Sequence, residues 1–155
     1  MTRITEQDSL YHHLEQRSIE EITAWINRED HKVPEAIAKA LPAINAIIYK
    51  VVEKLRSGGR LFYLGAGSGG RLSVLDALEL PTTYGIEKGR VEVVLAGGVD
   101  RLAEAPEEKE DEPDAGWQEL IARNASRADI VLGISASGTT PFVLGSHAKS
   151  RHVYG

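Results

Sequence analysis

Two glycine-rich segments carry hydroxyl groups at spacings that could bind a phosphate or a sugar. The first is GAGSGGR, residues 65–71, and the second is SASGTTP, residues 135–141. Each follows an apolar run and precedes a helical pattern, so free amides at a helix start, together with the hydroxyls, could donate to phosphate oxygens or bind sugar hydroxyls. For either segment alone an ordinary turn explains the composition equally well, because Gly, Ser and Thr are common turn residues.

The occurrence of two such segments favours the binding interpretation. Each follows a predicted strand, over residues 60–64 and 129–135, and the carboxyl ends of parallel strands lie at one edge of a sheet. Both segments could therefore reach one ligand. The predicted ligand contacts are the small and hydroxyl-bearing residues of the two segments: Gly67, Ser68, Gly69, Ser135, Ser137, Gly138, Thr139 and Thr140.

A dinucleotide is an alternative ligand for the first segment. Gly65, Gly67 and Gly70 satisfy the pattern G-x-G-x-x-G, and they stand between a predicted strand and a predicted helix. The acidic residue expected at the end of the next strand is missing. That strand, residues 91–96, is followed by Gly97 and Gly98, so the pattern is only half complete.

A hydrolase is a second alternative, since Ser68 stands among small residues as in a nucleophile elbow. The first glycine of that motif is replaced by Ala66, although His147 and His152 follow in the chain. Three strands cannot hold such a triad in place. The His12–His13 pair lacks the spacing of helical metal ligands, and we expect no metal site.

Two groups of carboxylates lie near these segments in the sequence. Asp76 and Glu79 fall on the helix predicted after the first segment, at a spacing that makes them neighbours. The stretch 104–114, EAPEEKEDEPD, contains seven acidic residues and one lysine. Taken alone, the first pair predicts solvated helix residues, and the second predicts a solvated loop or a frayed helix.

Apolar periodicity predicts the elements that position these residues. Ser18 and Glu21 form a capping-box pattern for a helix through about His31, and a long amphipathic helix follows from Pro34, with Pro42 expected to kink or split it. Strands over 60–64, 91–96 and 129–135 alternate with helical patterns, which indicates an α/β fold with a doubly wound parallel sheet.

Three strands leave both sheet edges bare, which favours a truncated form of a longer fold, and the alternative is a small natural domain that ends in a frayed tail. We expect three regions. Residues 1–57 form a helical segment that packs on the sheet or on a partner subunit, residues 58–145 form a partial α/β domain, and residues 146–155 form an irregular tail.

Composition narrows the class of protein. The chain has 155 residues, no cysteine and a net charge of −5, with no basic footprint of the kind that nucleic-acid binding needs. No run of eighteen apolar residues and no secretion signal occur in it. We expect a cytoplasmic protein that binds neither nucleic acid nor membrane.

The sequence also resembles a known family. The stretches INREDHKVPEAIAKALPAI, GGRLFYLGAGSGGRLSVLDALELPTTYG, VVLAGG and DIVLGISASGTTPFVLG occur in the order and spacing of the amino-terminal half of N-acetylmuramic acid 6-phosphate etherases. Those are sugar isomerase (SIS) domain proteins that are related to the glucokinase regulatory protein. The resemblance runs from about residue 2 to residue 145.

The resemblance implies a cytoplasmic carbon–oxygen lyase of amino-sugar catabolism and cell-wall recycling. Such enzymes remove D-lactate from the 3-ether of N-acetylmuramic acid 6-phosphate and leave N-acetylglucosamine 6-phosphate. They use no cofactor and act as homodimers. The motif LDALELPTTYG gives the acid/base role to Glu79, and the spacing after AGG gives a second role to Glu110. Gly69 stands where the family has a serine.

A protein of another class remains open as an alternative. The regulatory relative implies a noncatalytic module that senses a sugar phosphate or mediates dimerisation. Glu79 and Glu110 favour the enzyme, whereas the missing half of the domain favours the module.

Overall fold

The computed structural model describes residues 7–104 and 107–154. It divides between residues 50 and 51 into a helical unit and an α/β unit. None of the described helices is long and apolar enough to cross a membrane.

The helical unit contains α1, Ile19–Asp30, and most of α2, Lys32–Arg56. The capping box predicted at the start of α1 is confirmed, because the Ser18 hydroxyl accepts from the Glu21 amide and the Glu21 carboxylate accepts from the Ser18 amide. α1 ends at Asp30 with His31 as its C-cap, close to the predicted end. Pro42 does not split α2, which is one helix of 25 residues.

The α/β unit is built on a three-stranded parallel sheet. Its strands are β1, Leu61–Gly65, β2, Val91–Leu95, and β3, Ile130–Ile134, in the order β2-β1-β3. Gly65 is in register with Leu95 on one side and with Ile134 on the other. The three strands therefore end together, and β1 ends between the other two.

Helices cover both faces of this sheet, which confirms the predicted α/β fold. On one face α3, Gly67–Tyr84, packs Val74 against Val93 and Leu95. On the other face lie α4, Ala115–Ala122, and α5, Pro141–Tyr154. The larger core lies on this second face, and its fully buried large side chains are Phe62, Leu64, Val94, Leu120 and Phe142.

The expectation of an irregular tail after residue 145 is wrong for residues 146–154, which continue α5. Small residues allow the helix to pack closely there, since a Cβ at Gly145 would lie 2.4 Å from the Pro113 carbonyl oxygen. Ser146 and Ser150 are buried, and their hydroxyls donate to the carbonyls of Pro113 and His147. Apolar periodicity could not reveal a helix that buries serines.

A charged cluster joins the three strands at their amino ends. The Arg60 guanidinium pairs with Asp129 at 3.1 Å and with Glu92 at 2.9 Å. It also donates to the carbonyls of Arg123 and Asn124, after α4. These contacts hold the edge opposite to the glycine-rich loops.

Candidate functional site

The glycines of the first loop are explained mainly by close packing. A Cβ at Gly65 would lie 2.6 Å from the Cα of Gly70, and one at Gly70 would lie 2.5 Å from Cδ1 of Leu95. The end of β1 and the first turn of α3 can approach this closely only without side chains at both positions. Gly67 has φ of +57°, a left-handed conformation that favours glycine.

The second loop contains a compact cluster of hydroxyls. Ser135 Oγ lies 2.8 Å from Thr140 Oγ1 and 3.4 Å from Ser137 Oγ. Ser137 Oγ accepts from the Thr139 amide at 3.1 Å and from the Thr139 hydroxyl at 3.0 Å. Ser135 Oγ accepts from the amide of Gly138, which has φ of +68°. The loop thus holds four hydroxyls, each within hydrogen-bonding range of at least one other, before α5 begins.

The two loops are neighbours. They leave the sheet directly after the paired residues Gly65 and Ile134, on adjacent strands that are spaced about 4.8 Å apart. The first turn of α3 lies against the end of β3, since a Cβ at Gly69 would lie 3.0 Å from Cγ2 of Ile134. Ser68, in that turn, is exposed. The predicted placement of both loops at one sheet edge is confirmed, whereas their contact with a ligand stays a prediction.

Glu110 lies beside the first loop. Its Oε1 is 3.1 Å from the position that a Cβ would take at Gly67. Glu110 belongs to a 3-10 turn, Glu107–Asp111, and is half-buried. The turn packs against α5 and so positions Glu110, while Glu108 and Asp111 in the same turn are exposed, as a solvated stretch predicts.

Within one chain, Glu79 lies far from the glycine-rich loops. It is an exposed residue of α3, twelve positions after Gly67, which places it about 18 Å along the helix from the first loop. Helical spacing puts Glu79 on the same face as the exposed Leu72 and Leu75. Glu79 therefore lies too far along α3 to act at the first loop of its own chain.

Asp76 has a different partner from the one that its spacing suggested. Its Oδ2 accepts a hydrogen bond of 2.8 Å from the Tyr63 hydroxyl. Burial, and then this hydrogen bond, raise the pKa of Tyr63 to about 12. The phenol therefore stays protonated at neutral pH and holds Asp76 against the sheet.

The described residues give no support to the two alternative sites. Ser68 and His147 share no hydrogen bond, and the side chain of His152 lies outside the description. Asp100 falls in a 3-10 turn, Val99–Arg101, three residues beyond Gly97, and not at the end of β2. Within residues 7–104 and 107–154 no cluster of His, Asp or Glu could hold a metal ion.

Sequence reasoning missed two arginines beside Glu110. A small pocket at the carboxyl end of β2 is lined by Gly67, Arg71, Arg101 and Glu110, together with apolar side chains. Arg71 ends the quoted motif GAGSGGR, so its position was a signal, but only the fold shows that it shares a pocket with Glu110.

A family model assigns the fold. The model for the N-terminal SIS domain of the glucokinase regulatory protein matches residues 43–150. The chain belongs to this SIS domain family. The SIS match contains the three strands, both loops, Glu79 and Glu110.

Curated relatives of this SIS chain carry a more specific name. The N-acetylmuramic acid 6-phosphate etherase of Porphyromonas gingivalis is 46% identical over 149 residues, which cover 96% of this chain and 54% of the relative. The protein of that name from Bacteroides thetaiotaomicron is 45% identical, with the same coverage. The one from Pectobacterium atrosepticum is 46% identical over 140 residues, 90% of this chain and 46% of the relative. The SIS chain thus spans about half the length of these etherases.

Proposed function

We propose that this SIS domain binds an amino-sugar 6-phosphate as part of an N-acetylmuramic acid 6-phosphate etherase, a cytoplasmic carbon–oxygen lyase. The observation that carries the proposal is the pair of adjacent loops at one sheet edge, with Glu110 against the first of them. The names of the relatives supply the substrate class. No cofactor is part of the proposed reaction.

The hydroxyl cluster suits the phosphate of such a ligand. Ser135, Ser137, Thr139 and Thr140 offer donors within one loop, just before the start of α5. A phosphate there would exchange the hydroxyl–hydroxyl contacts for charge-assisted hydrogen bonds, which are stronger. Ser68 and the small Gly67 and Gly69 would face the sugar from the adjacent loop.

The chemistry of ether removal assigns the carboxylates. A base takes the proton from C2, the C2–C3 double bond forms as the C3–O bond breaks, and lactate leaves with a proton from an acid. Water then adds at C3, so the product keeps a hydroxyl group there. General acid–base catalysis of this kind contributes about 10²–10⁴-fold. We assign acid/base work to Glu79 and a second role to Glu110.

The position of Glu79 requires a homodimer for this reaction. Since Glu79 is about 18 Å along α3 from the loop of its own chain, it would act in the site of a second copy. The exposed Leu72 and Leu75 on the same helix face are consistent with a surface that another copy covers.

A noncatalytic sugar-phosphate sensor is the second candidate function. The exposure of Glu79, away from both loops, is the observation that favours it. A monomer would then keep the binding loops and Glu110 but lack the principal acid/base.

The two candidates differ in the release of D-lactate. The chain is incubated with N-acetylmuramic acid 6-phosphate, D-lactate is quantified enzymatically, and binding of N-acetylglucosamine 6-phosphate is measured by calorimetry. The etherase hypothesis predicts turnover that Glu79→Gln lowers by about 10²–10⁴-fold. Glu87→Gln, an exposed loop carboxylate, is the matched control and should keep the wild-type rate.

Binding of the product without turnover of the substrate would establish the sensor instead. Binding of neither sugar would contradict both candidates. Turnover that Glu79→Gln leaves unchanged would remove Glu79 from the mechanism while leaving the etherase assignment intact.

A further inference from the structure

The pocket beside Glu110 holds two opposite charges that do not neutralise each other. Arg71 and Glu110 both line it, yet no ion pair or hydrogen bond joins the two side chains, and neither side chain has such a partner elsewhere in the described parts of the chain. Arg101, the other arginine of the pocket, is already paired with Glu104 at 2.6 Å. Arg71 is therefore the guanidinium that is available to an anion.

The dimensions of the pocket limit what can enter it. Its volume of about 10 Å³ admits a group the size of one water molecule, so it can take the tip of a ligand but not a sugar ring. Leu95, Ala96 and Leu102 supply the apolar part of its lining. A guanidinium in such surroundings can donate a charge-assisted hydrogen bond to a carboxylate or phosphate oxygen that enters the pocket.

The location of the pocket separates it from the hydroxyl cluster. Leu95 and Ala96 stand at the end of β2, whereas the cluster follows β3, and β1 lies between them. Two strand spacings put the two places roughly 10 Å apart along the same sheet edge. That spacing suits two anionic substituents on one hexose ring better than two contacts to one phosphate.

We propose that Arg71 binds the carboxylate of the lactyl ether, while the hydroxyl cluster binds the 6-phosphate. This inference rests on the proposed function and adds a source of specificity to it. The lactyl carboxylate is the anion that distinguishes the substrate from the product. Arg71 would hold it next to Glu110, beside the bond that breaks.

The assignment predicts a change in selectivity, which a purely structural role would not produce. Calorimetry on the full chain, with Glu79→Gln present throughout to suppress turnover, compares N-acetylmuramic acid 6-phosphate with N-acetylglucosamine 6-phosphate for protein with Arg71 and with Arg71→Gln. We expect Arg71→Gln to weaken binding of the lactyl sugar about 10- to 100-fold and binding of the other sugar less than about twofold. Arg71→Lys keeps the positive charge but lacks the planar guanidinium, so its affinity for the lactyl sugar should lie between those of wild type and Arg71→Gln.

A charge-matched control separates the local effect from the loss of one positive charge. Arg28→Gln, at an exposed position of α1, should leave both affinities at the wild-type value. If Arg71→Gln loses affinity equally for both sugars, or for neither, Arg71 does not bind the lactyl carboxylate. The proposed function would still stand in that case, because the protein with Arg71 binds both sugars. Wild-type protein that binds neither sugar would instead overturn the proposed function, and this inference with it.

Discussion

At the scale of single residues, glycines of the first loop serve packing as much as ligand approach. Gly70 is a helical residue, and an alanine in a helix is ordinarily favoured by about 1 kcal/mol. At this position the added Cβ would lie 2.5 Å from Leu95 Cδ1 and 2.8 Å from the Gly65 carbonyl carbon. The backbone contact cannot relax without moving α3 away from β1.

We therefore expect Gly70→Ala to lower the free energy of unfolding by about 1–3 kcal/mol, as overpacked cores do. Urea denaturation followed by circular dichroism measures the change. Gly69→Ala is the control, since its Cβ would meet only one side-chain methyl, Cγ2 of Ile134, at 3.0 Å and no backbone atom. Equal stability of both variants would show that the close approach of α3 and β1 is not a constraint.

The residue scale also shows how far sequence could predict the site. Hydroxyl type and the position after a strand sufficed to place Ser68 and Ser137 at one edge, because parallel topology is a general rule. Glu110 and Arg71 are different. They line one pocket although 39 positions separate them in the sequence. The acidic composition around Glu110 is typical of solvated loops. Only the packing of the 3-10 turn on α5 explains its position.

At the scale of elements, the charged cluster around Arg60 holds the strands in register. Asp129 accepts from the guanidinium and amide of Arg60 and from the Ser126 amide, and its side chain is only 5% exposed. Burial raises the pKa of Asp129, but the hydrogen bonds from Arg60 and Ser126 outweigh burial and hold it below its usual value.

This lowered pKa gives the cluster a defined pH dependence. A carboxylate whose pKa falls on folding stabilises the native state above its unfolded pKa of about 3.9, and the contribution is lost as the pH falls through the folded value. We expect Asp129→Asn to lose about 3 kcal/mol at pH 7, as buried pairs do when one partner is removed. The difference from wild type should shrink below about pH 4.

Urea denaturation at a series of pH values tests this prediction. Glu104→Gln is the control, because Glu104 forms an exposed pair with Arg101, and such pairs contribute less than about 1 kcal/mol. A stability difference for Asp129→Asn that stays constant down to pH 3 would contradict the charge-based explanation.

The sequence predicts some helices better than others, because the signals for their ends differ in range and kind. The capping box of Ser18 and Glu21 lies within four residues, so the start of α1 could be read directly. Pro42 does not split α2, because only its own amide and the preceding turn are affected and the remaining 24 residues stay helical. The end of α5 was missed because its buried positions carry Ser146 and Ser150.

At the scale of the whole molecule, the homodimer is the prediction on which catalysis by Glu79 depends. α2 presents apolar side chains that are about half exposed: Ile37 at 49%, Leu41 at 46% and Ile48 at 50%. Helical spacing puts these side chains on one face, which is typical of a surface that a partner covers.

Sedimentation velocity over a concentration series should therefore show a dimer. Leu41→Lys should weaken association by at least about 10-fold, because it places a charge where an apolar side chain would be buried. Ala46→Lys adds the same charge at an exposed position on the opposite side of α2 from Leu41 and Ile48, and should leave association unchanged. A wild-type chain that stays monomeric at all concentrations would contradict catalysis by Glu79 of a second copy.

The proposed function depends most on the two loops forming a single sugar-phosphate site. Amide chemical shifts of the isotopically labelled chain, recorded during titration with N-acetylglucosamine 6-phosphate, test it directly. We predict that the amides of Ser68 and Gly69 shift together with those of Ser137, Gly138 and Thr139, along one saturation curve. Shifts confined to one loop, or different saturation curves for the two loops, would contradict a single site.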